Sequence, residues 1–436
     1  MKSLKRVLAV LMAAAMSAVP LAGCSAGNSA AESTGSAASA ATSSASAQAA
    51  SLELFSTKTE NAKILKTLAD EFHTQNPSIT ITISSPQDAG TVLKTRLTKN
   101  DIPDILAMGG DATYTEVQSA GVLEDLSQES YVSDIQDSYK QMIYNVQQDK
   151  EQKLYGIPYA TNASGVLYNE DIFQKSGVQV PTTWDAFMTL CKTLKSSGIT
   201  PFELTFKDSW TALCPWNSMA PDLQPDNFTS DRLAGKTTFA ATHQEVAQKY
   251  LQVLSYAQKD YMGTTYADGN TAFAEGKAAM MINGNWAISE FKKVNANFNV
   301  NLFAFPASND SSKNYVTSGV DVLLAVSNDS PSKDAAKKFV SFMVQPENAQ
   351  KYIQDQFAFS AVKGVEQSDK TVAGVKEDIA NGKVANFPDH YYPSGFDLAS
   401  LAQNFGKNAA AGMDANKNIA DFLKQCDQKY DAANVS

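Results

Sequence analysis

The spacing of hydrophobic positions changes several times along the chain, and each change marks a switch between strand and helix. Ser51-Leu-Glu-Leu-Phe-Ser alternates apolar and polar residues, the mark of a half-buried strand. Between Lys63 and His73, Ile64, Leu65, Leu68 and Phe72 recur at helical spacing. Asn76-Pro77 ends that helix, because the residue before a proline is pushed out of the α region. Ile79-Thr-Ile-Thr-Ile predicts the next strand and 91–97 the next helix. Ile102-Pro-Asp-Ile-Leu-Ala-Met predicts a short buried strand running into Gly109-Gly110-Asp111. Pro181-Thr-Thr-Trp-Asp-Ala-Phe opens a helix, with Thr182 and Asp185 at capping-box spacing. Trp184, Phe187, Met188, Cys191 and Leu194 form its apolar stripe, and Gly198 stops it. Further helices are expected over 245–258, 332–344 and 418–432. The repeated β-α-β order predicts an α/β protein with a mostly parallel sheet. The body shows no internal repeat and no membrane-spanning run.

The N-terminus has a different pattern. Lys2, Lys5 and Arg6 precede a nearly continuous apolar stretch from Val7 to Val19. A membrane span needs about 20 apolar residues, so this stretch suits a secretory leader instead. Leu21-Ala22-Gly23-Cys24 follows and resembles the lipobox of bacterial lipoproteins. The resemblance implies cleavage before Cys24, acylation of that residue, and anchoring at the outer face of the bacterial cytoplasmic membrane. An ordinary signal peptide with a coincidental cysteine is the alternative. From Ser25 to Ser51 the chain is mostly Ser, Ala, Thr and Gly, with Glu32 its lone acid and no aromatic residue. Such a segment cannot bury enough apolar surface to offset its ordering entropy, so 24–51 reads as an acylated Cys and flexible tether after a 1–23 leader.

Composition narrows the body. With 43% hydrophobic and 19% charged residues it is globular. Loss of the three leader cations would lower the net charge of −10 to −13, which makes the chain a poor partner for nucleic acid. Cys191, Cys214 and Cys426 show no C-x-x-C spacing. Cys191 falls on a helix stripe and reads as core, and a Cys191–Cys214 disulfide stays open. His73, His243 and His390 are too scattered to suggest a metal site, and His73 reads as an exposed helix residue. No G-x-S-x-G, H-E-x-x-H or P-loop is present, and no cofactor is expected.

Several segments in order carry a family resemblance. They are Ile102-Pro-Asp-Ile-Leu, Lys153-Leu-Tyr-Gly-Ile-Pro-Tyr, Val166-Leu-Tyr-Asn-Glu-Asp-Ile-Phe, and Gly177 followed by Pro181-Thr-Thr-Trp-Asp-Ala-Phe. Ala272-Phe-Ala-Glu-Gly-Lys-Ala-Ala-Met-Met-Ile-Asn-Gly-Asn-Trp-Ala, Ser318-Gly-Val-Asp-Val-Leu-Leu-Ala-Val and Ser332-Lys-Asp-Ala-Ala-Lys-Lys-Phe continue it. The chain from about Leu52 to about Val384 is thus similar to the family 1 extracellular solute-binding proteins of ABC sugar importers. The resemblance implies a periplasmic-binding-protein-like fold: two α/β lobes joined by a hinge, with the ligand cleft between them. Crossings near Thr161, Tyr315 and Ser360 would make lobe 1 residues 52–161 plus 316–359, and lobe 2 residues 162–315 plus 360–436. It further implies a monomer that hands its solute to membrane permease subunits. Phe387-Pro-Asp389-His390, Asp321 and Ser56-Thr-Lys58 look like the raffinose and multiple-sugar branch, whose ligands are α-1,6-linked. In that branch an Asp-His pair and an upstream aromatic hold the terminal hexose.

A sugar needs flat aromatics against its C–H faces and planar polar groups for its hydroxyls. Trp184 reads as core, whereas Trp210 and Trp216 lie in a proline-rich, loop-like stretch and are candidates for the cleft rim. Trp286, a turn beyond an apolar strand, resembles the family's cleft platform. Phe387, Asp389 and His390 form the most site-like cluster, where Asp accepts and neutral His both donates and accepts. Asp321 interrupts an apolar strand, so a buried carboxylate there needs a partner, a ligand or a hinge hydrogen bond, with the ligand favoured. Lys58 and Asp111 end strands of the first lobe, where α/β sheets place ligands, and Asn162 lies at a crossing. Solvated loops explain these three equally well. Few Arg residues stand in these loops, which argues against a carboxylate ligand. Carriers of other small solutes, an anchored glycosidase and an adhesive surface lipoprotein remain as alternatives.

Overall fold

The computed structural model describes residues 49–147, 151–393 and 395–434. The leader, Cys24 and nearly all of the tether lie outside the described residues. Twelve described strands follow the chain: β1 (Ala50–Ser56), β2 (Ile79–Ser84), β3 (Ile105–Met108), β4 (Ile157–Thr161), β5 (Ser164–Asn169), β6 (Thr200–Glu203), β7 (Ala278–Gly284), β8 (Val300–Phe303), β9 (Val316–Thr317), β10 (Val320–Val326), β11 (Phe359–Ser360) and β12 (Val384–Ala385).

They form two sheets. The first has the order β11-β4-β10-β3-β1-β2, the second β12-β9-β5-β7-β6, with β8 also on β5. β1 pairs parallel with β2 and β3, as the β-α-β order predicts. β6 is also parallel to β7 and β12 to β9, but the sheets are mixed and not mostly parallel as expected. β10 runs antiparallel to both β3 and β4, and β5 is antiparallel to β7, β8 and β9. A strand that returns from the other lobe needs no crossover helix, so it is free to pair antiparallel.

Each sheet has its own core. Around the first, Leu54, Phe55, Leu106 and Leu324 pack with Phe72, Phe339 and Phe342, whose rings meet edge to face and stacked. The second sheet is covered on both faces. Val166 and Met280 point into a core with Phe187, Phe202, Trp216 and Tyr250. Their neighbours Leu167 and Met281 point the other way, into a smaller core with Phe273 and Phe291. Successive side chains of a strand alternate in direction, so a strand buried on both faces must be apolar throughout, as Ala278-Ala-Met-Met-Ile is.

The chain passes between the sheets three times. The first passage lies at Asn162-Ala163, between β4 and β5. The second falls at Ser318-Gly319 instead of Tyr315, because β9 still pairs with β5 and β12. The third falls later than Ser360, since Val362 and Val365 belong to the first core and Val372 to the second lobe. Which sheet a two-residue strand joins is set by its partners, and its own sequence does not carry that. The first two passages are tied together: Asn162 N–H donates to Gly319 O at 3.2 Å, and Gly319 N–H donates to Asn162 Oδ1 at 3.0 Å.

Helices close the two layers. The Trp184–Ser196 helix buries Trp184, Phe187, Cys191 and Leu194 as the stripe predicts. Its cap is Thr183, whose Oγ1 accepts from Ala186 N–H at 3.4 Å; Thr182 instead gives its carbonyl to Asn314. Gly198 just beyond adopts a φ of +77°, the left-handed region that glycine favours at a helix end. The stretch around Trp210 and Trp216 is helical, a 3-10 turn (Ser209–Ala212) followed by the Leu213–Leu223 helix. Pro215 sits in its first turn, where a missing N–H does least harm; Pro221 lies inside the helix and leaves the Asn217 carbonyl without its helical donor, a place taken by Thr317 Oγ1 at 3.2 Å. Cys191, Cys214 and Cys426 are buried free thiols, so the disulfide left open above does not form. Among the described residues, no helix is long and apolar enough to cross a membrane.

Candidate functional site

A cavity of about 900 Å³ opens between the lobes, beside the first two passages. Lys58, Asp111, Asn162, Trp210, Trp286, Asp321, Phe387, Asp389 and His390 all line it. A second recess of about 570 Å³ shares Lys58, Asp111, Trp210 and His390, and extends past Thr57, Met108 and Gly109 at the ends of β1 and β3.

On the first-lobe side, Lys58 follows the end of β1 and reaches Asp321 on β10. Its Nζ lies 2.6 Å from Asp321 Oδ1 and 3.5 Å from Glu60 Oε1. Burial pulls the ammonium down, but Asp321 and Glu60 outweigh it and hold Lys58 above its ordinary value. Asn162 Nδ2 donates to the same Asp321 oxygen at 3.2 Å. Asp321 therefore finds its partners in the protein, not only in a ligand as its position suggested. The Lys58–Asp321–Asn162 group also ties β1 to the first passage.

Asp111 caps the Ala112–Ser119 helix. Its Oδ1 accepts from Thr113 N–H at 2.8 Å and from Tyr114 N–H at 3.3 Å. Burial pushes this carboxyl up, against the pull of His390 and the two amides, and Asp389 adds to the rise. It is thus neither a solvated loop residue nor free of a structural duty.

On the opposite wall, the 3-10 turn Pro388–Tyr391 carries Asp389 and His390. The Phe387 ring stacks on His390 at 5.0 Å and 28°. Asn217 Nδ2 donates to Asp389 Oδ1 at 2.8 Å. His390 Nδ1 is buried without a partner among the described residues. Trp286 is half-buried beyond β7, with its ring 6.4 Å from Phe387. Its ring lies over Gly284, where a Cβ would come within 2.1 Å of a ring carbon. Trp210, also in the lining, is 41% exposed and meets Tyr266 at 4.9 Å and 65°.

Trp216 is the correction among the predicted site residues. It is fully buried in the second-lobe core, stacked on His243 at 5.5 Å and edge-on to Phe422. On the same helix, Leu213, Cys214 and Asn217 line the cavity while Trp216 points into the core. His243 beside it is pushed down to about 3 by burial. Asn217, Tyr266 and Glu290 are lining residues that sequence reasoning missed. Reading 213–223 as a helix would have placed Asn217 one turn from Leu213, on the same face.

The lining is acidic. Glu60, Asp111, Glu290, Asp321 and Asp389 face Lys58 and Lys293, and Lys293 is itself paired with Glu290 at 2.5 Å. Among the described residues no group of three or more His, Cys, Asp and Glu side chains is placed to hold a metal ion. Carboxylates, amides and aromatic faces around one cleft equip it to hold a polar, uncharged solute with apolar faces.

Two α/β lobes around a cleft of this kind define a solute-binding protein. The family of bacterial extracellular solute-binding proteins matches residues 56–350, and the chain belongs to it. Its members and relatives bind solutes and are not enzymes. The chain is 31% identical to the multiple sugar-binding protein of Streptococcus mutans, over 73% of this chain and 76% of that one. It is 24% identical to the melibiose/raffinose/stachyose-binding protein MelE of Bacillus subtilis, over 86% and 89%. Among solved structures, RafE in complex with raffinose superposes with a TM-score of 0.72 at 25% identity, over 88% of this chain and all of that one.

Proposed function

We propose that this chain captures an oligosaccharide outside the cell and delivers it to the permease of an ABC importer, acting as a monomer. The observation that carries this reading is the convergence on one cleft of planar polar groups (Asn162, Asp321, Asp389, His390) and aromatic faces (Trp286, Phe387). Hydroxyls need the first set and sugar C–H faces the second. A second aromatic pair, Trp210 and Tyr266, lines the same cavity of about 900 Å³, which supports a ligand of more than one ring. Relatives whose names include raffinose, melibiose and stachyose support an α-1,6-linked sugar. Lipidation at Cys24 would hold the protein at the outer face of the cytoplasmic membrane, with residues 24–51 as the tether. A Cys24→Ser chain that still fractionates with membranes would overturn that anchor.

The functional test is a thermal-shift screen of the full chain against raffinose, melibiose, isomaltose and amino acids. A ligand at 100 times its Kd stabilises a fold by about 2.7 kcal/mol. A shift with the sugars and none with amino acids is expected. A shift only with amino acids or another charged solute would retire the sugar reading. A charged solute is the second reading, and the acidic lining disfavours an anionic one.

A further inference from the structure

Asn217 lies on the Leu213–Leu223 helix with only 4% of it exposed, yet it lines the cleft. Its carbonyl accepts from Thr317 Oγ1 at 3.2 Å, which pins the helix beside the second passage. Its Nδ2 donates to Asp389 Oδ1 at 2.8 Å. A carboxylate accepts and does not donate, so the amide must turn its nitrogen toward Asp389 and its oxygen away. That oxygen is buried and has no hydrogen-bond partner among the described residues. Folded proteins leave few acceptors in this condition, and a missing donor is the usual reason.

We propose that Asn217 contacts the sugar directly: Nδ2 holds Asp389 while Oδ1 accepts a hydroxyl from the ring that Asp389 binds. The inference rests on the oligosaccharide reading above. Asp389 and Asn217 then present two acceptors side by side, one charged and one neutral. Such a pair suits a ring with two adjacent free hydroxyls and disfavours one substituted at either. The amide cannot be replaced by an isosteric acid without setting a second carboxylate against Asp389, which explains the choice of Asn at this position.

Isothermal titration of the full chain with raffinose tests this, alongside raffinose analogues that each lack one hydroxyl of the galactosyl ring. N217A and N217S should each weaken raffinose binding roughly 10- to 100-fold, the range for one hydrogen bond to a buried polar group. Circular dichroism should show both variants folded; N217S keeps a small polar group in case the alanine does not fold. One analogue should bind wild type and N217A equally, because each lacks one side of the same contact. If every analogue loses affinity by the same factor in both proteins, Asn217 acts only through Asp389 and the direct contact is wrong. Unchanged raffinose affinity in both variants would also overturn it. Failure of wild type to bind any sugar would overturn the oligosaccharide reading and this inference with it.

Discussion

Trp286 owes its orientation to the residue two places before it. Gly284 ends β7 with an extended backbone, and the indole ring occupies the space where any side chain would stand. Gly284→Ala should therefore push the ring out of the cleft while sparing the strand, whose backbone an alanine adopts readily. Loss of an aromatic anchor of this kind weakens binding roughly 10- to 100-fold. Titration with raffinose checks this, and wild-type affinity in the variant would show that Trp286 is no platform. At the same scale, Trp216 and Trp286 show the limit of reading residue types. Both are tryptophans beside an asparagine, yet one fills a core and the other faces a cavity. The difference lies in helix phase and in what packs behind each ring.

Asp222 shows how one element end is coupled to another. It closes the Leu213–Leu223 helix, and its Oδ1 accepts from Tyr315 N–H at 3.1 Å, just before β9. Its other oxygen is buried and unpartnered. Burial pushes this carboxyl up to about 8. The folded value thus lies above the unfolded one, so the fold favours the protonated acid. That contribution is present at low pH and is lost as pH rises from about 4 to about 8. Melting curves of Asp222→Asn and wild type should test it: the variant should melt higher at about pH 8.5, and the gap should shrink toward about pH 5. A gap that does not change with pH would mean Asp222 is ionised in the fold. Glu203, raised to about 7 by burial and Asp260, adds a similar slope to both proteins and cancels in the difference. Helices with strong stripes, such as Trp184–Ser196 and Lys333–Met343, stood near their predicted bounds because one buried face forces the period. Strands β9, β11 and β12, of two residues each, carry no period and were not legible.

At the scale of the molecule, three chain passages bring together residues as far apart as Lys58, Asn162, Asp321 and His390. Local pattern determined the alternation of strands and helices, the globular nature of the body and the acidic charge. It did so because hydrophobic period and composition act over a few neighbouring residues. Of the ten residues put forward from the sequence, all but Trp216 line the cleft. The tertiary structure alone decided that Asp321 is held by Lys58 and Asn162, that Trp216 is core, that β10 turns antiparallel, and that Asn217 stands against Asp389. Each of those depends on at least one partner more than 150 residues away in the chain, and no short-range pattern encodes which distant segment a side chain will meet.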